Sequence, residues 1–263
     1  MAASSSEQSK MNEALENLQV NGDSIFHLFS KENFPEIIKV STHNLRSLLL
    51  KAIFTKTLTI MIVVPHPGSI HNTVGMLKNF LQIAVDENGQ LLPNTQMQQY
   101  IRQQFGENTT NNYCFRHFGQ YPVIHVNFKY VRCGPLELIL KSFRLVIFLA
   151  YKEHSYVLKK VDDKWEWSNK NLEGFDLNLF LKYFCMEQFV NLTKEEVEIG
   201  LKFLCEVLYA HFKRAVFVLL EGFDSTLNKA TFKADQDCLE IVWLISSMMT
   251  QCIESNAYVK NKI

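Results

Sequence analysis

Ala215-Val216-Phe217-Val218-Leu219-Leu220-Glu221-Gly222-Phe223-Asp224-Ser225 is the stretch whose reading decides the fold. Six apolar residues in unbroken succession run into an acid and then a glycine. An unbroken apolar run bounded by charge predicts a strand buried on both faces, as in a parallel sheet covered by helices. The acid then emerges at the carboxyl end of the strand, where open α/β sheets place their ligands. In phosphate-transfer proteins a carboxylate at that point holds Mg²⁺, often with a second acid to polarise water. Here Glu221 occupies the first position, and the second is Gly222, which has no side chain.

Outward from this strand the chain repeats the alternation of strand and helix. Leu58–Val64 predicts a second buried strand, ending in Pro65-His66-Pro67-Gly68-Ser69, and Asn72–Ile83 predicts the helix after that loop. Strand, Gly/Pro loop and helix is the arrangement in which backbone N–H groups and a helix N-terminus meet an anion. The working form of that loop is GxxxxGK[ST], because the lysine reaches the phosphates and the hydroxyl holds Mg²⁺. This loop has one glycine, Gly68, and no lysine before Lys78, inside the helix. A third strand is predicted over Tyr121–Phe128, where Pro122 at the start is tolerated because the first residues need not donate to the ladder.

The remaining segments read as helices and connections. Ser24–Lys39 predicts a short helix and turn, and Thr42–Phe54 a helix with Thr42 as N-cap. Asp86–Gln90 reads as a turn, Gln96–Phe105 as a helix and Thr109–Asn112 as a loop. Pro135–Lys160 predicts one long helix from its apolar spacing. Asp162–Gly174 is a polar insertion in which Trp165 and Trp167 alternate, as on one face of a small hairpin packed on the core. Phe175–Phe189 predicts a further helix. Thr193 with Glu196 forms a capping box that opens a helix to about Phe212. A last helix near Ala234–Glu254 closes the chain. Residues 1–22 read as a flexible leader, and 23–263 as a single α/β domain.

Composition narrows the classes of function. Equal numbers of basic and acidic residues, 27 each, argue against a dominant electrostatic attraction to nucleic acid or to an anionic membrane. No apolar stretch reaches the length of a membrane span, and the Ser-, Gln- and Glu-rich start lacks the apolar core of a signal peptide. The expected setting is cytoplasmic or nuclear. The cysteines at 114, 133, 185, 205, 238 and 252 include no CxxC pair and read as buried free thiols of a reducing compartment.

Several stretches, in order, resemble the AAA-ATPase-like domain family of bacterial and expanded animal, notably insect, proteins. Met76-Leu77-Lys78-Asn79-Phe80-Leu81-Gln82-Ile83 is similar to the family's "MLKRFFEI" helix, and His117-Phe118-Gly119-Gln120-Tyr121-Pro122-Val123-Ile124 to its "HFGKYPVI". Tyr151-Lys152-Glu153-His154 matches "YKEH", Leu201–Phe212 resembles "LKFLSELLYKHF", and Val216–Ser225 lies on "VIVLIDEYDT". The resemblance implies a three-layer, P-loop NTPase-like sandwich with a mostly parallel sheet. It also implies a chain that stops one helix after the Asp224 loop, short of the rest of the ATPase core.

The departures fall at the chemistry. Aligned backward from Met76, Pro65 lies on the proline of the family's "RPRRFGKT" loop, Ser69 on its glycine, Ile70 on its lysine and His71 on its hydroxyl residue. In the second motif Glu221 replaces the Mg²⁺ aspartate, Gly222 replaces the catalytic glutamate, and Asp224 matches the second aspartate. Loss of the lysine removes the cation that neutralises developing phosphate charge, and loss of the glutamate removes the group that orients water.

The expected function is therefore that of a non-catalytic pseudo-ATPase, a binding module for a protein partner. No cofactor is assigned to it. The alternatives are weak residual binding of ATP and Mg²⁺, or a nucleic-acid-associated remnant by analogy with relatives fused to nucleases. A residual nucleotide site would combine Gly68, Ser69, His71, Glu221 and Asp224. A metal pair of His66 and His71 lacks supporting acids or thiols. His117 reads as a loop residue packed before a strand, and His125 as a strand residue with one satisfied nitrogen. No motif supports a Ser/His/Asp triad.

Overall fold

The computed structural model describes residues 74, 75, 77–92, 117–132, 134–222, 236–254 and 256–262. The chain divides into two compact units, residues 1–80 with 94–119, and residues 81–93 with 120–263. In the first unit residues 74, 75 and 77–80 are helical, burying Val74, Leu77 and Phe80, and the Phe118 ring meets Phe80 edge-on at 5.6 Å. This agrees with the helix expected over Asn72–Ile83. The leader, the helices expected over residues 24–54 and 96–105, the strand at 58–64 and the loop at 65–72 lie outside the described residues.

The second unit is mixed α/β around a parallel sheet. The apolar run at 215–220 does form a strand, β4 (Val216–Glu221), paired in parallel with β1 (Val123–Asn127). A further strand, β5 (Val259–Lys262), pairs in parallel with the other side of β4, so the order is β1-β4-β5. A parallel pair needs a long crossover. Here it contains α1 (Leu136–Glu153), the hairpin β2 (Leu158–Val161) and β3 (Lys164–Trp167), then α2 (Leu177–Phe184) and α3 (Lys194–Phe212). Between β4 and β5 runs α4 (Gln236–Met249), followed by a π-helical turn at Thr250–Glu254.

Alternation along the strands sends Ile124, Val126, Val216 and Val218 to one face, where they join the main core with α1 and α3. Val123, His125, Asn127, Phe217, Leu219 and Glu221 share the other face by the same alternation and register. The helices α1 and α3 approach closely because position 200 is glycine. A Cβ there would lie 3.0 Å from Tyr183 Cε1 and 3.2 Å from Ile147 Cγ2. The buried hydroxyl of Tyr151 donates to the Gly200 carbonyl at 2.8 Å, so the contact is also polar-satisfied.

Three elements differ from the sequence reading. The long helix expected to Lys160 stops at Glu153, turns through Ser155–Val157 and becomes β2. Tyr156, Val157 and Leu158 carry the apolar spacing onward, but Asp162 and Asp163 both take positive φ, 47° and 63°. A two-residue loop with positive φ at both centres is the turn that matches strand twist. The Trp residues of β3 pack as expected, Trp165 edge-on to Phe184 at 5.5 Å and Trp167 to Phe180 at 5.1 Å. The helix expected over 175–189 shortens to α2, which starts where the Asp176 side chain accepts from the N–H of Asn178 and Leu179. Last, the chain continues past α4 into β5.

The start of α3 is the capping box. Thr193 Oγ1 accepts from Glu196 N–H at 3.2 Å, and the Glu196 carboxylate accepts from Thr193 N–H at 2.7 Å. Burial alone would raise the Glu196 carboxyl, but the Lys182 ammonium and the Thr193 N–H overcome it and hold it below its usual range. At the other end of α3, His211 Nε2 lies 3.0 Å from the Gly89 carbonyl, anchoring the Asp86–Gln90 turn. That turn forms as expected, with Asp86 Oδ1 accepting from Asn88 and Gln90. Burial pushes the His211 pKa below its ordinary value, opposed in part by the Gly89 carbonyl.

Two stability predictions follow from these ends of α3. Thr193→Ala lowers unfolding free energy by about 1 kcal/mol in urea denaturation, the usual cost of an N-cap. For His211, the unfolded chain takes up a proton near pH 6.5 while the folded chain resists it. Its contribution is therefore complete above about pH 6.5 and is lost as pH falls toward the lower folded value. His211→Gln keeps a donor for Gly89, and its melting temperature should fall less than the parent's between pH 7 and pH 5.

Candidate functional site

The carboxyl ends of β1 and β4 meet because the two strands run parallel and in register, with Asn127 opposite Glu221. His125 lies two residues earlier on the same face. Its Nε2 comes within 3.0 Å of Glu221 Oε2, and the two side chains are only 16% and 9% exposed. An acid this buried is stabilised by a specific partner. Here the partner is an imidazole from the neighbouring strand, 96 residues earlier in the chain.

Asn127 turns the chain immediately after β1. Its Oδ1 accepts from Lys129 N–H at 2.9 Å and caps the single 3₁₀ turn Phe128–Tyr130. Gly222 passes against that turn with φ +74°. A Cβ at 222 would sit 3.2 Å from Lys129 N and 3.5 Å from Asn127 Oδ1. Glycine is favoured here twice over, by the left-handed backbone and by the close approach. A larger residue would have to move main chain rather than a flexible side chain.

Chemically, this is a carboxylate at a strand end whose Oε2 is engaged by an N–H donor. A Mg²⁺ ion binding through that oxygen would have to displace the imidazole. His125 Nε2 and Glu221 Oε2 form a hydrogen-bonded pair across the two strand ends. The site is thus a carboxylate at the end of a parallel strand, hydrogen-bonded to an imidazole of the neighbouring strand.

Of the residues singled out for a nucleotide site, Glu221 is placed as expected at the end of β4. Gly68, Ser69, His71 and Asp224 lie outside the described residues, as does His66. The structure adds His125 and Asn127, which the sequence reading left out of the site. The signal available was modest: two polar residues spaced by two inside an apolar strand share a face. Trp165 and Trp167 are packed on aromatic core residues. Among the described residues no group of three or more His, Cys, Asp or Glu side chains gathers to hold a metal ion, and no helix there is long and apolar enough to cross a membrane.

No protein-family model, curated protein or solved structure matches the chain.

The tight passage at position 222 predicts a specific sensitivity. Gly222→Ala should lower stability by about 1–2 kcal/mol, the cost of forcing an L-residue into left-handed backbone. Chemical denaturation checks it, and an unchanged midpoint would show that the Gly222 turn tolerates a Cβ.

Proposed function

We propose that this chain is a non-catalytic pseudo-ATPase, an ATPase-like three-layer α/β module that works by binding a protein partner rather than by hydrolysing nucleotide. The observation that carries this reading is the 3.0 Å contact of His125 with Glu221. The carboxylate at the expected Mg²⁺ position is already engaged in a hydrogen bond within the protein. Three further features support it. Ile70 stands where the resembling family has its phosphate-binding lysine. The position of the water-orienting acid is Gly222, whose left-handed backbone strains any side chain placed there. The parallel pairing of β1 and β4 is the sheet arrangement that such a fold uses.

Each substitution acts on a separate step of phosphoryl transfer. Without the lysine, charge building on the phosphate has no fixed cation. Without the second acid, no base orients the attacking water. With Glu221 held by His125, the metal that would bridge the phosphates must compete with an internal partner. A fold kept without these groups presents surface rather than chemistry.

Thermal melting with millimolar ATP or ADP, each with and without Mg²⁺, tests the proposal together with a phosphate-release assay. The expected outcome is no Mg²⁺-dependent shift and no release above buffer. A ligand present at tenfold its Kd would add about 1.4 kcal/mol of stability, so even weak binding is visible. A Mg²⁺-dependent shift that disappears in Glu221→Ala would sink the proposal and establish a residual nucleotide site.

A further inference from the structure

α3 presents Val197, Leu201, Leu204, Cys205 and Leu208 to the core, and Cys205 is fully buried. Cys252 reaches the same place from the opposite direction. After α4 the helix widens into the π-helical turn Thr250–Glu254, which directs Cys252 and Ile253 inward, and Cys252 is 1% exposed. The sulfurs of Cys205 and Cys252 lie 3.9 Å apart. Bonded sulfurs are about 2.05 Å apart, so a closure of roughly 2 Å would join them. π-helical turns are frequent at functional positions, because the extra residue re-aims a side chain.

The surroundings give this contact a consequence. The turn leads directly into β5, and Asn256, beside Cys205, accepts from Tyr258 N–H at 3.0 Å. Tyr258 in turn accepts from Val216 N–H at 2.9 Å, and Val259 pairs with Val216. A bond between the two sulfurs would therefore tie α3 to the segment that seats β5 on β4.

We propose that Cys205 and Cys252 are a redox pair, oxidised by a peroxide to a disulfide that fastens β5 to the sheet. The first sulfur attacks the peroxide O–O bond, forming S–O and releasing hydroxide, which leaves as water with the thiol proton. The second sulfur attacks the resulting sulfenic acid. S–S forms, S–O breaks, and a second water departs. Two thiols lose two electrons and two protons, and one hydrogen peroxide becomes two waters. Burial raises the Cys205 thiol pKa well above its ordinary value, so the thiolate is scarce in the closed structure. Reaction at Cys205 is therefore slow in the closed structure.

The test uses the full chain, reduced, freed of reductant and then exposed to hydrogen peroxide. Peptide mapping without reduction reads the outcome, with melting measured before and after dithiothreitol. The expected result is one linkage joining the Cys205 and Cys252 peptides, two hydrogens lighter than the separate thiols. The melting temperature should rise by about 5 °C, reversed by dithiothreitol. Cys252→Val, which retains an apolar side chain, should melt like the reduced parent and show no such rise. Because the mapping is done on the unsubstituted chain, a poorly folding variant does not obscure the answer. Linkage of either cysteine to 114, 133, 185 or 238 instead, or a linked species that melts no higher than the reduced one, would overturn the proposal.

Discussion

The second unit depends on β4 lying between β1 and β5 as a strand with no exposed face. β4 pairs along most of its length with β1 and Pro122 on one side, and over Val216 to Val218 with Tyr258 and β5 on the other. Neither neighbour is adjacent in sequence, so both pairings require crossovers, and the crossovers are the helices that cover the sheet. The apolar run Val216–Leu220 is stable only because α1 and α3 pack over it, and those helices have their apolar stripes only because there is a sheet to cover. Sheet and helices are thus one cooperative object, and Glu221 is delivered to a defined place because the strand before it cannot slip without exposing its core face.

Against that frame, the polar residues stand out by being few. His125 and Glu221 are placed by two strands from distant parts of the chain, and the parallel register brings the imidazole and carboxylate together. The pairing gives a buried acid a hydrogen-bond partner within the sheet. In a phosphoryl-transfer site the same acid would be balanced from outside, by a bound ion. Replacing an external ligand by an internal hydrogen bond is what the proposed change from enzyme to binding module amounts to at the level of atoms.

How much of this could be read from the residues alone varies with the range of the forces involved. The run into Glu221 and the Thr193–Glu196 box are local signals with one physical solution each, and both strand and helix start appear where they were expected. The Trp165–Trp167 alternation also carried its own period. The helix that stops at Glu153 was hidden because Val157 and Leu158 continue its apolar spacing, and only the paired Asp162–Asp163 turn shows where the hairpin must be. β5 was hidden for the opposite reason. Val259-Lys260-Asn261-Lys262 has little strand character of its own and forms because the edge of β4 offers it a ladder. The His125–Glu221 contact is long-range in sequence and follows only from the register.

Gly222 has a consequence for the history open to this chain. A Cβ at 222 meets a left-handed φ of +74° and the Lys129 main chain at 3.2 Å, so a side chain there is strained. Introducing an acid at 222 by a single codon change is therefore a destabilising step before it can be a useful one. The close approach thus acts as a ratchet: a carboxylate at 222 needs two coordinated changes, in the turn after β1 and in the turn after β4.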